Sequence, residues 1–183
     1  MVETAVQQYA SGPDATRALE LYAEVHWLTA YTLFRAGERG ESSRIAADRF
    51  AAAARRVGDP LLMAASARCL GHVLLHGGQT EAARTVIREA LDALAPGLGT
   101  ADERYLSVYG ALLLAAAVIE ARLGDGVACR RLLGEAAGRR ARLGPACSGA
   151  ARGRQRGDGF ARDRPVRRTW HYCAQAGAGA AAT

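Results

Sequence analysis

The sequence predicts an all-α protein: a stack of antiparallel helix pairs over residues 1–144, followed by a disordered basic tail over 145–183. Three observations carry that prediction. Apolar residues recur at helical spacing through the first segment, with no sustained two-residue alternation and no Asn-Gly or Asp-Gly hairpin bracketed by β-branched runs. Helix start and stop residues punctuate the segment at close intervals. Composition then changes abruptly at Gly144 and Pro145, a helix-ending glycine followed by a residue that cannot continue a helix.

The elements follow in chain order. Val2, Ala5, Val6 and Tyr9 share one side of a short helix expected over 2–10. The first long helix is expected over 14–36, stopped by Gly37, and the next over 41–57, stopped by Gly58. Asp59 and Pro60 place a capping acid before a proline at the first helical position, opening 60–76, which Gly77 and Gly78 close. Thr80 and Glu81 open 80–95, ended by Pro96 and Gly97. Thr100 and Glu103, three residues apart, fit a capping box that opens 100–123. After the stop at Gly124, Asp125 opens the last helix, 126–143.

Composition sharpens the division. Of the 183 residues 41 are Ala, so the apolar fraction consists largely of small side chains, and all 24 basic residues are Arg. Residues 145–183 hold seven Arg against two acids, Asp158 and Asp163, whereas 1–144 hold 17 Arg against 16 acids. The body is therefore nearly neutral and the tail carries the basicity. Every Leu, Ile and Glu lies before position 145, which leaves the tail without the aliphatic burial that offsets ordering entropy. The lipid-like run Val108–Ile119 is 12 residues long and stops at Glu120, whereas a membrane span takes about 20. No association with a membrane is expected. The N-terminus has no basic start leading into an apolar core, and Cys69, Cys129, Cys147 and Cys173 show no close pairing, so reduced thiols in a cytoplasm are expected.

The helices repeat in pairs. Counted from Gly78, the second pair has Gly71 seven residues before the turn and Ala83, Ile87 and Ala90 after it. Counted from Gly124, Ala117 takes the place of Gly71, and Cys129, Leu133 and Ala136 take the places of the other three. In the first pair, counted from Gly37, Ala30 matches Gly71, and the second helix offers Ala46, Phe50 and Ala53 some four residues late. Small residues let two antiparallel helices approach closely, while a large apolar residue from the second helix fills the space beside the next pair.

On these residues the run GHVLLHGGQTEAARTVIREAL resembles a tetratricopeptide repeat. Residues 19–144 as a whole, with segments such as IAADRFAAAARRVGDPLLMAASARCLGHVLLHGG and YGALLLAAAVIEARLGD, resemble the repeat region of large Xre-type bacterial transcriptional regulators. Such regulators carry a DNA-reading helix-turn-helix upstream; 13 residues precede the first long helix here, so the chain resembles a sensor or interaction part without its reader. The resemblance implies that the first helix of each pair lines a concave groove for an extended peptide or protein segment. By matching turns, the first pair would contribute Glu24, Trp27, Tyr31, Phe34 and Arg35. Arg68, Cys69, His72 and His76 would come from the second pair, and Leu114, Val118 and Arg122 from the third. An aromatic patch beside three Arg suits a ligand that carries apolar groups and a carboxylate. The alternative is that the aromatics pack in the core and the Arg form a solvated helix face.

Cys69, His72 and His76 share one helical face, but no fourth ligand is evident, so no metal is expected; groove-lining imidazoles, with some sensitivity to pH, are the reading preferred. No catalytic residue or cofactor is expected either. The chain has no glycine-rich phosphate loop after a strand, no Gly-x-Ser-x-Gly elbow and no His-Glu-x-x-His helix. An array with uncovered ends tends to self-associate, and a homodimer, or else an unstable fragment, is expected. For the tail, one reading is weak nucleic-acid binding through Arg152, Arg154, Arg156, Arg162, Arg164, Arg167 and Arg168, with Phe160, Trp170 and Tyr172 available for stacking. A second is a change of reading frame in a GC-rich gene, or a fusion, which would make the chain a truncated, non-functional regulator fragment, and a third is a plain disordered tail.

Overall fold

The computed structural model describes residues 14–38 and 40–142. The segment 2–10 and the whole tail, including its seven Arg, lie outside the described residues. Among the described residues every element is helical: α1 (Ala15–Arg35), α2 (Glu41–Val57), α3 (Pro60–His76), α4 (Thr80–Leu94), α5 (Glu103–Arg122) and α6 (Gly126–Arg142), with a 3-10 turn over Ala95–Gly99.

Local chemistry sets the boundaries. Asp59 Oδ1 accepts from the Leu61 amide at 2.9 Å, and Pro60, which has no N–H to satisfy, occupies the first helical position of α3. Asp125 Oδ1 accepts from both Val127 and Ala128 amides, at 3.1 and 2.9 Å, and starts α6. At α5 the expected capping box does not form. Asp102, not Thr100, is the cap, accepting from the Tyr105 amide at 2.8 Å, and the helix opens at Glu103. Thr100 is instead taken up by the 3-10 turn, its amide donating to the Gly97 carbonyl. Tyr105 holds that turn in place by donating its hydroxyl to the Leu94 carbonyl.

Three of the interhelix turns share one hydrogen-bond register. The amides of Glu38, Gln79 and Asp125 each donate to a carbonyl five residues back (Leu33, Leu74 and Glu120), each at 2.9 Å. Gly37, Gly78 and Gly124 sit inside these loops with φ of 84°, 77° and 83°, the left-handed region that a side chain disfavours. These are the three glycines from which the sequence repeat is counted.

Helix packing follows the same pairs. α1 packs chiefly on α2, α3 on α4 and α5 on α6; α2 then meets α3 and α4 meets α5, while α3 also touches α1 and α5. Close approach within a pair depends on small residues. Gly71 of α3 is buried against Ile87 of α4, and a Cβ at position 71 would lie 2.8 Å from both Cγ1 and Cδ1 of Ile87. Ala30 and Ala117, the matched positions, are likewise buried. Phe50 and Ile87, the large residues of the two second helices, are fully enclosed. Leu133, their counterpart on α6, is 45% exposed.

The interior divides into a large cluster shared by α3, α4, α5 and α6, a smaller one formed by Ala23, Trp27, Phe50, Ala53, Ala54, Leu62 and Ala65, and a third formed by Ala30, Ala46, Ala47 and Val73. Helix α5 is, by length and composition alone, apolar enough to cross a membrane, because Tyr105, Leu106 and Ser107 extend its uncharged stretch beyond the run counted from sequence. Half of its most apolar 18-residue window is buried within the protein.

Candidate functional site

The site is built from the helices α1, α3 and α5. On α3, Arg68, His72 and His76 recur every four residues, which at 3.6 residues per turn keeps them on one face. α1 meets that face with Phe34. Its ring lies edge-to-face on His76 with centroids 4.7 Å apart and on His72 at 6.5 Å. The two imidazoles are 6.3 Å apart. His76 Nδ1 donates to the His72 carbonyl at 2.8 Å, which fixes its ring orientation and leaves Nε2 as the nitrogen available to a ligand.

His72 is held neutral. Burial pushes its pKa down from 6.5 to about 3, helped by the positive charge of Arg68 and by His76. Burial and the neighbouring guanidinium favour the neutral ring of His72 at physiological pH, against the sensitivity near neutrality expected of it from sequence. The expectation for Trp27 is corrected as well. Its side chain is 5% exposed and belongs to the core between α1, α2 and α3, so it supports the site from beneath. Tyr31 stacks on it at 5.9 Å, with planes inclined by 17°, and is partly exposed. The aromatic patch is therefore divided. Trp27 belongs to the interior, and Tyr31 and Phe34 to the wall of the site.

Cys69 is partly buried and packs against both the Trp27 cluster and the small cluster of Ala30, Ala46, Ala47 and Val73. Among the described residues no group of three or more His, Cys, Asp or Glu could hold a metal ion. On α5, Leu114 and Val118 are 40% and 49% exposed. Arg35 and Arg122 are exposed and are, like His76, the last residues of their helices. There, cations interact favourably with the free carbonyls of the helix end. The structure brings Phe34, His72, His76 and the Arg68 charge together, and leaves Arg35 and Arg122 at the helix ends.

A second polar cluster was not anticipated from sequence. Glu120 of α5 is 2% exposed and is gripped by Arg84 of α4 in a two-pronged pair, Nε to Oε1 at 2.9 Å and Nη2 to Oε2 at 2.8 Å. Arg88 adds a third bond at 3.0 Å. Such a pair satisfies a buried carboxylate and fixes α5 against α4. The signal was present in the helical period: Glu120 lies between Tyr109 and Leu113 around the α5 axis, on the buried side. No family model, no curated protein and no solved structure matches the chain.

Proposed function

We propose that the helical body is a protein- or peptide-binding module, a tetratricopeptide-like α-solenoid that forms the sensor or regulatory part of a cytoplasmic bacterial transcriptional regulator. The observation that carries this reading is the wall shared by α1 and α3. Two imidazoles and a phenylalanine ring are in mutual contact, Tyr31 is beside them, and Leu114 and Val118 are exposed on α5. This is a surface of rings and aliphatic groups with few fixed polar partners, suited to the side chains of an extended segment. The resemblance of residues 19–144 to the Xre-type repeat region supports the assignment to a regulator.

The test is selection from a displayed random peptide library on the purified protein, followed by calorimetric titration of the selected peptides. Binding is expected to be lost in Phe34→Glu and His76→Glu, which place a charge in the wall without touching the core of α5 and α6. Selected peptides that bind these variants as well as the parent would place the ligand elsewhere. A second reading, nucleic-acid binding through the tail, is favoured by its seven Arg against two acids. Deleting residues 145–183 separates the two, since loss of DNA retention at moderate salt with helicity intact would favour the tail.

A further inference from the structure

Helix α1 is apolar on two sides. Leu19, Ala23, Trp27 and Ala30 are buried, while Leu21, Val25 and Leu28 face the other way and are each 44% to 47% exposed. With Thr32 they form one uncharged stripe, since steps of three and four residues return to the same face. A single exposed apolar residue is ordinary, but a stripe of them along one helix marks a face that packs.

The internal repeat says what such a face receives. Counted back from Gly78 on α3, the positions of Leu21, Val25, Leu28 and Thr32 are Leu62, Ser66, Cys69 and Val73. Leu62 and Cys69 belong to the cluster around Phe50 of α2, and Val73 to that of Ala46 and Ala47. Counted back from Gly124 on α5, the positions are Val108, Leu112, Ala115 and Ile119, all buried in the cluster that holds Ile87 of α4. In both cases the face takes the second helix of the preceding pair. Among the described residues no helix precedes α1, and its equivalent face stands open.

The chain ahead of α1 carries residues that fit it. Phe50 stands 12 residues before Leu62, and Tyr9 stands 12 before Leu21. In the same register Val2, Ala5 and Val6 match Ser43, Ala46 and Ala47, which are buried on α2. Those four residues share one side of the helix expected over 2–10. Length agrees as well: a nine-residue helix is about 14 Å long and the stripe about 17 Å. One four-residue stripe offers far less than the roughly 800 Å² per partner of a stable dimer, so a short helix suits it better than a second copy. α1 starts about one turn earlier than α3 does in this register, so residues 11–14 have to run extended beside it. Pro13 biases Gly12 toward that backbone.

We propose that residues 2–10 dock as a helix on the outward face of α1, with Tyr9 against Leu21 and Leu28 in the place that Phe50 takes against α3. The docked helix caps the array and covers a stripe otherwise open to self-association. Docking here is independent of any ligand at Phe34 and His76.

The experiment uses the full chain with labelled Leu and Val methyls and reads nuclear Overhauser contacts from the Tyr9 ring, together with hydrogen exchange of the amides of residues 6–10. Contacts from Tyr9 to the Leu21, Val25 or Leu28 methyls are expected, with those amides protected at least about tenfold over an unstructured chain. Val25→Glu, a change at an exposed position, is expected to abolish both and leave α2 to α6 folded. Tyr9→Phe is expected to keep them, as Phe50 does at the matching position, and Tyr9→Ser to lose them; should Val25→Glu fail to fold, Tyr9→Ser decides. Unprotected amides and no Tyr9 contact in the parent would overturn the proposal, and so would contacts unchanged by Val25→Glu. Mixing labelled and unlabelled chains separates the occupants: contacts found only between chains would overturn the proposal and make the face a homodimer interface. Tyr9 contacts to Phe34 or His76 in place of the stripe would also overturn it.

Discussion

The approach of α3 to α4 at Gly71 can be tested by a substitution whose effect is expected to change sign with its surroundings. Gly71→Ala adds one methyl 2.8 Å from two carbon atoms of Ile87, a residue with no exposed surface into which it could turn. Ordinary carbon contacts are about 3.5–4.0 Å, so either Ile87 leaves its rotamer or the helices separate, at a cost of about 1–3 kcal/mol. Against this, alanine is about 1 kcal/mol better than glycine inside a helix. The net expectation is a change between neutral and a loss of about 2 kcal/mol in the parent. Ile87→Ala removes both clashing atoms and costs about 2–5 kcal/mol through the cavity it leaves. In that background Gly71→Ala is expected to stabilise, by about 1 kcal/mol from propensity and up to about 0.8 kcal/mol from the newly buried methyl. The coupling between the two sites is then about 1–4 kcal/mol, read as urea midpoints of the four proteins in a double-mutant cycle. Gly71→Ala stabilising both backgrounds equally would refute the close contact and the role assigned to small residues.

Three further outcomes follow from the geometry. Glu120→Ala leaves Arg84 without its buried acceptor and is expected to cost about 3 kcal/mol; because both arginines can swing toward water, Glu120→Leu is expected to recover part of that loss, and equal stability of parent and Glu120→Ala in chemical denaturation would contradict the pairing. His72 is neutral in both states above about pH 7.5; below its unfolded value of 6.5 the unfolded chain takes up a proton that the folded ring refuses down to about 3. Stability is thus lost as pH falls through that window, by about 1–2 kcal/mol at pH 5 after allowing for the ring's partial exposure, and His72→Gln is expected to flatten this part of the denaturation profile. Asp102→Ala removes the cap of α5 and is expected to cost about 1 kcal/mol, whereas Thr100→Ala is expected to be close to neutral, the reverse of what a Thr100–Glu103 capping box would give.

The helices were legible because their ends are written in short-range chemistry: Asp59 before Pro60, Asp125, and glycines at three equivalent turns. The start of α5 was not, since Thr100 and Asp102 both satisfy cap preferences, and the choice between them fell to a Tyr105 side chain that holds the preceding turn. Within the site, the shared face of Arg68, His72 and His76 follows from spacing alone. Which aromatic faces a ligand does not, because Trp27, Tyr31 and Phe34 lie close together around the α1 axis and only packing against Phe50 and Leu62 draws Trp27 inward. Burial, likewise invisible in a single sequence, decides that His72 stays uncharged. The 12-residue apolar run does not give the length of the uncharged stretch, because helix α5 extends it with Tyr105, Leu106 and Ser107.

The surface carried by α1, α3 and α5 is the central claim, and amide chemical-shift mapping with a library-selected peptide tests it most directly. The account predicts perturbations concentrated on Tyr31, Phe34, Arg68, His72, His76 and Val118. Perturbations confined to α2, α4 and α6, with those residues unmoved, would contradict it.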